Sequence, residues 1–147
     1  MHSHSELVSI AKTWLKKRCG VVFTELYSFN AEIPDAIGFN SMHSVLIECK
    51  RTRADFIKDF QKPHRWSGGM GEFRFYLCPA GLINLVDLPD GWGLIWVCEK
   101  GKAEVILNPY GKNNDQTGLW KGGFTRNLQA EINCMYTVLR KQSKEKC

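Results

Sequence analysis

The stretch Ile33-Pro-Asp35-Ala-Ile-Gly-Phe39-Asn40-Ser-Met-His43-Ser44-Val-Leu-Ile-Glu48-Cys-Lys50-Arg-Thr52-Arg-Ala-Asp55-Phe56 decides the fold. Ala31 to Phe39 and Ser44 to Arg51 read as two extended runs, and Asn40-Ser-Met-His43 between them reads as a hairpin turn. Thr52-x-x-Asp55 is a capping box, which predicts a helix from Arg53 until Pro63 stops it. Phe56 and Phe60, four apart, give that helix an apolar face.

Upstream, Leu7, Ile10, Ala11, Trp14 and Leu15 recur at helical spacing between Ser5 and Cys19, with Ser3 or Ser5 as cap and Gly20 as stop. Val21 to Tyr27 is a β-branched and aromatic run, hence a strand. Downstream, Glu72 to Cys78 predicts a strand after the loop Ser67-Gly-Gly-Met-Gly71. Trp92 to Glu99 and Ala103 to Leu107 predict a second hairpin turning at Lys100-Gly101. Asn108 to Gly123 reads as a long polar loop, of the kind that is often functional or mobile. A last helix, Thr125 to Lys141, has Leu128, Ile132, Met135 and Leu139 in register as its expected buried face. The order α-β-β-β-α-β followed by β-β-α predicts an α/β (α+β) fold, a mixed sheet flanked by helices, in a single domain spanning 1–147.

Composition narrows the function classes. A chain of 147 residues with 44% hydrophobic and 24% charged residues is globular rather than disordered. No apolar run approaches the roughly 18 residues of a membrane span, and the first residues lack a basic region followed by an apolar one. The expectation is a soluble, cytoplasmic domain with no membrane partner. Cys19, Cys49, Cys78, Cys98, Cys134 and Cys147 form no Cys-x-x-Cys pair, so a zinc ribbon or redox motif is excluded and reduced structural thiols are expected. No P-loop, nucleophile elbow or His-Glu-x-x-His occurs. The formal charge is +5, and Lys50 to Arg65 alone holds six cations against Asp55 and Asp59. Concentration of the excess there points to a polyanionic partner, although a solvated helix face has the same composition.

The hairpin brings chemistry together. If Phe39 pairs with Ser44, Asp35 lies directly opposite Glu48, and Lys50 projects from the same face two residues on. Opposed carboxylates repel, and a hard divalent cation, Mg²⁺ or Mn²⁺, relieves that better than a lysine does. On this reading Asp35 and Glu48 are metal ligands, with the Cys49 carbonyl as a further candidate. Lys50 orients an attacking water or stabilises developing negative charge. The same residues also suit a plain surface hairpin with an Asp35–Lys50 ion pair.

Pro34-Asp35, twelve residues, then Glu48-Cys-Lys50 resembles the signature of the PD-(D/E)xK, restriction-endonuclease-like nuclease superfamily, and the αβββαβ order matches that superfamily's core. His4-Ser-Glu6-Leu-Val resembles the opening helix of archaeal Holliday-junction resolvases, which implies Glu6 as a further metal-site carboxylate, with Glu25 as its rival. Glu48 to Phe56, Lys62-Pro63, Tyr76 to Pro79 and Leu88 to Leu94 are similar to small bacterial and prophage-borne members, a group of them linked to DNA repair. The resemblance spans roughly residues 4 to 100. It implies a metal-dependent endonuclease acting on DNA in a prophage, defence or repair setting, with Asp35, Glu48, Lys50 and Glu6 as catalytic candidates. Arg51, Arg53, Lys58, Lys62 and Arg65 then become phosphate contacts, Arg53 in the first helical turn among exposed N–H groups. Lys112 and Lys121 in the long loop are further candidates for substrate contact, and homodimerisation is expected by analogy with small single-site nucleases. Two other readings stand beside this one. One is a catalytically silent nucleic-acid-binding module on the same fold. The other is an adaptor using the Trp92 and Trp96 hairpin as its surface.

Overall fold

Phe39 pairs with Ser44 and Ala36 with Ile47, the register expected, and this joins β2 (Ala36–Phe39) to β3 (Ser44–Cys49) as an antiparallel hairpin. Asn40 N donates to His43 O at 2.8 Å across the turn. In this computed structural model, residues 2–24, 34–62, 68–112 and 116–145 are described. Glu25, His64, Arg65 and Trp66 lie outside them, as do the proposed strand continuations over 25–27 and 31–33.

The hairpin is extended on both sides. β1 (Val21–Thr24) pairs antiparallel with β2. The helix α2 (Arg53–Phe60) carries the chain over to β4 (Phe73–Pro79), parallel to β3. A 3-10 turn at Leu85–Asp87 precedes β5 (Gly93–Val97), parallel to β4, and β6 (Ala103–Leu107) closes the order antiparallel. The result is one six-stranded mixed sheet in the order β1-β2-β3-β4-β5-β6, with helices α1 (His4–Lys16), α2 and α3 (Leu128–Glu145). No helix among the described residues is long and apolar enough to cross a membrane.

Side chains alternate along each strand, so the sheet divides the core in two. Val45, Ile47, Phe73, Phe75 and Leu77 lie with Leu7, Ala11, Trp14 and Leu15 of α1. Leu46, Tyr76, Cys78, Trp92 and Leu94 lie with Phe56 of α2 and with Ala130 and Cys134 of α3. Trp92 is buried and stacked on Tyr76 with ring centroids 4.3 Å apart, so it does not offer the exposed surface an adaptor would use.

Local chemistry sets the helix boundaries. Ser3 Oγ accepts from Glu6 N at 3.1 Å and caps α1, which stops at Lys16, short of Gly20. Thr52 Oγ1 accepts from Asp55 N at 3.1 Å and caps α2, which ends at Phe60. Gly101, at φ 87°, supplies the left-handed residue of the second hairpin.

Two expectations are corrected. Residues 108–112 and 116–123 are anchored rather than free: Tyr110 and Trp120 pack edge-on or tilted against Phe73 and Phe75, and Tyr110 Oη bonds Arg74 N and O and Gly91 O. Burying two such rings contributes about 3–6 kcal/mol, which outweighs the polarity of the intervening residues. Burial also raises the Tyr110 phenol well above its usual pKa. The second correction concerns α3. Leu128, Ile132 and Leu139 of its apolar stripe are exposed, at 57%, 54% and 60%, and the helix instead buries Ala130, Glu131 and Cys134.

The described cysteines are all free thiols, and four of these five are buried. Burial pushes the Cys19 and Cys78 thiols up to about 11. Cys98 is exposed, and the Lys102 N–H, first among several backbone donors, lowers its pKa. Maleimide at neutral pH is therefore expected to label Cys98 in the native protein while Cys19, Cys49, Cys78 and Cys134 react only after denaturation. Peptide mapping reads this directly; native labelling of Cys78 would contradict its burial.

Candidate active site

The C-terminal end of β3 is where polar residues enter an otherwise apolar sheet. The hairpin pairing ends at Ala36↔Ile47, and Asp35 and Glu48 are the next residues beyond it, at the open end of the hairpin. Cys49 N donates to Asp35 Oδ2 at 2.8 Å and so fixes that carboxylate against the strand end. Glu48 is 2% exposed, beside Tyr76 in the parallel register of β3 and β4. Alternation places Glu48 and Lys50 on the face of the sheet that α2 covers.

Lys50 does not pair with Asp35. Its Nζ donates to Asp59 Oδ1 at 2.9 Å, and Tyr76 Oη donates to Asp59 Oδ2 at 2.7 Å. Asp59 is 1% exposed, and Lys62 Nζ lies 3.6 Å from its Oδ1. Asp59 is therefore the residue that sequence reasoning missed. Its position one turn after Asp55 and three residues after Phe56 turns it toward the sheet, and that spacing was the available signal. In a sequence it counts only as one acid among many cations.

The residue α1 brings to the site is His4, not Glu6. His4 Nε2 lies 3.4 Å from Asp35 Oδ1. Glu6, two residues on, points elsewhere on the helix: it is 60% exposed and accepts from His2 Nδ1 at 3.2 Å. The His2 hydrogen bond, followed by those from Ser3, holds the Glu6 carboxyl below its usual range.

His4, Asp35, Cys49, Lys50, Asp55, Lys58, Asp59 and Lys62 line one open cleft of 310 Å³. Of the proposed phosphate contacts, Lys58 and Lys62 belong to it. Arg51 is exposed and does not line it. Arg53 is turned away, because Asp87 accepts from it at 3.0 and 3.2 Å and Leu82 O at 2.9 Å. The Asp87 bonds raise the Arg53 pKa, so the guanidinium is a structural tie between α2 and the 3-10 turn. Asp55, whose N–H is taken by the Thr52 cap, also stands in the cleft wall.

The donor set suits a hard divalent ion: Asp35 lines the cleft, and Glu48 adjoins the Cys49 whose N–H holds Asp35. Among the described residues no three His, Cys, Asp or Glu side chains converge as a ready-made metal cage.

No family model and no curated protein matches the sequence. A solved structure does match: the SPO1766 protein of unknown function from Silicibacter pomeroyi, with a TM-score of 0.63 and 16% identity over 99% of this chain and 92% of that one. At that identity the likeness establishes a shared fold.

Proposed function

We propose that the chain is a divalent-metal-dependent phosphodiesterase that cuts DNA at the cleft lined by Asp35 and Lys50. The observation carrying this reading is the convergence of Asp35, Cys49, Lys50, Lys58 and Lys62 on one open cleft, at the end of the strand that carries Glu48. A cation held by Asp35 and Glu48 would supply Lewis acidity and neutralise charge on a phosphate oxygen. The chain's own residues do the rest. Lys58 and Lys62 meet the phosphate backbone. Lys50, released from Asp59 or shared with it, stabilises charge developing on the phosphoryl oxygens. His4, whose Nε2 stands 3.4 Å from Asp35 Oδ1, helps hold that carboxylate in place.

A second reading has its own support. The Lys50 ammonium is committed to Asp59 in this state, and no ready-made cage exists among the described residues. Both observations favour a nucleic-acid-binding module whose site is silent.

The test is a cleavage panel on labelled duplex, single-stranded, flap and four-way-junction DNA and on RNA, with Mg²⁺, Mn²⁺ or EDTA. Metal-dependent cutting is expected, and Asp35→Asn should abolish it while DNA affinity falls less than about tenfold, about 1.4 kcal/mol. Calorimetry of Mn²⁺ binding should show the same variant weakened. Binding without cutting under every metal selects the silent module. Neither binding nor cutting would remove both readings.

A further inference from the structure

Two ammonium groups converge on one buried carboxylate. Asp59 is 1% exposed; its Oδ1 accepts from Lys50 at 2.9 Å, and Lys62 Nζ stands 3.6 Å from the same oxygen. Tyr76 Oη holds the other oxygen at 2.7 Å, so the carboxylate keeps its place whichever lysine it takes. Both lysines are fixed at the backbone. Lys50 N donates to Leu77 O at 2.9 Å, and Lys62 N donates to Asp59 O at 3.0 Å. What remains free to move is side chain, a flexible four-carbon stem ending in a rotatable ammonium.

The two lysines differ in their surroundings. Lys50 is 12% exposed and shares the cleft wall with Asp35 and Cys49, whereas Lys62, just past the end of α2, is 53% exposed. A buried carboxylate that loses its cation stays desolvated and uncompensated, which makes the loss costly. Lys50 therefore leaves Asp59 at least cost as another cation arrives, and Lys62 already stands at the same oxygen. The reverse exchange returns Lys62 to water, where an ammonium is well hydrated. An ammonium has three donors, so Lys62 seated on Asp59 still has protons to offer a phosphate in the cleft.

We propose that Lys62 is a positioning residue for Lys50: it takes over Asp59 Oδ1 and so releases the Lys50 ammonium into the cleft. Its use in catalysis rests on the role proposed above for Lys50 at the phosphoryl oxygens. The exchange itself is a property of Lys50, Asp59 and Lys62 alone.

Acetylation by a low dose of acetic anhydride, in EDTA and without DNA, followed by peptide mapping, reads how often the Lys50 ammonium is free. Lys62→Gln should slow acetylation of Lys50 about threefold or more, because Asp59 then holds Lys50 without a competitor. Lys62→Arg should leave it near wild type, and Asp59→Asn should speed it in either background. On a DNA that the protein cuts, Lys62→Gln should lower kcat about tenfold while KM rises less than about threefold. Asp59→Asn in the same chain should restore most of that kcat, since Lys50 no longer has a carboxylate to leave. Lys50 acetylated equally in the wild type and in Lys62→Gln overturns the exchange. So does a Lys62→Gln variant that raises KM at unchanged kcat, the mark of a backbone contact alone. If the wild type cuts nothing, the cleft reading falls, and the acetylation pattern by itself decides the exchange.

Discussion

Lys50→Ala is expected to lower stability by about 3 kcal/mol as well as to remove cleavage, because it strands Asp59. That carboxylate is 1% exposed and accepts from Lys50 at 2.9 Å and Tyr76 at 2.7 Å. Deleting one partner of a buried ion pair costs about 3–5 kcal/mol. Lys62, 3.6 Å from the same oxygen, keeps the loss at the lower end. The cycle separates the two roles. Lys50→Ala/Asp59→Asn should recover most of the stability, since a neutral amide still accepts from Tyr76, yet it should not recover cleavage. Urea unfolding of the two single variants and the double measures the coupling. Stability unchanged in Lys50→Ala would mean that Asp59 is satisfied without the lysine. Cleavage regained in the double variant would remove Lys50 from the chemistry.

The second large effect inverts what hydrophobicity alone forecasts for α3. Glu131→Ala should destabilise the fold by about 3–5 kcal/mol, whereas the exposed Ile132→Glu should leave the tertiary fold intact. Glu131 is 1% exposed; its Oε2 accepts from Ser44 Oγ and Gly71 N at 2.8 Å each, and its Oε1 from Arg126 at 2.7 and 2.9 Å. Removing it leaves Ser44 Oγ, Gly71 N and the Nε and Nη2 of Arg126 without their acceptor, while Arg126 Nη1 keeps Met42 O. It also releases Gly71, whose φ of 91° and closeness to Leu46 set the entry to β4. Since whole domains are stable by about 5–15 kcal/mol, the variant should sit near its unfolding threshold at 37 °C. Thermal melts followed by near-ultraviolet circular dichroism decide the matter; a Glu131→Ala melt indistinguishable from wild type would show that α3 is held by Ala130 and Cys134 alone.

The mixed αβββαβ arrangement and the hairpin register are legible in the sequence, because both follow from local rules. Asn40 to His43 turns the chain, and alternation across that turn pairs Phe39 with Ser44 and Ala36 with Ile47. The Thr52 cap, likewise, is a contact of one residue with the backbone three positions on. Those interactions span few residues, so a short stretch of chain contains both partners.

Which distant group claims each charge is a different matter. Lys50 has Asp35 and Glu48 on its own hairpin, yet Asp59 takes it, because α2 folds back across the sheet and Tyr76 from β4 secures the same carboxylate. Helical spacing makes Glu6 as plausible as His4; the approach of α1 to the strand end decides for His4. In α3 the apolar period is present, but the stripe faces the opposite way from the one expected. Hydrophobic period shows that a face will be covered, but only the competing burial of Glu131 by Ser44, Gly71 and Arg126 determines which face meets the sheet. Thus the chain's local pattern determined its elements, their order and the hairpin at the cleft. Tertiary structure alone decided the charge partners and the outward stripe, because each depends on desolvation shared among residues up to 87 positions apart.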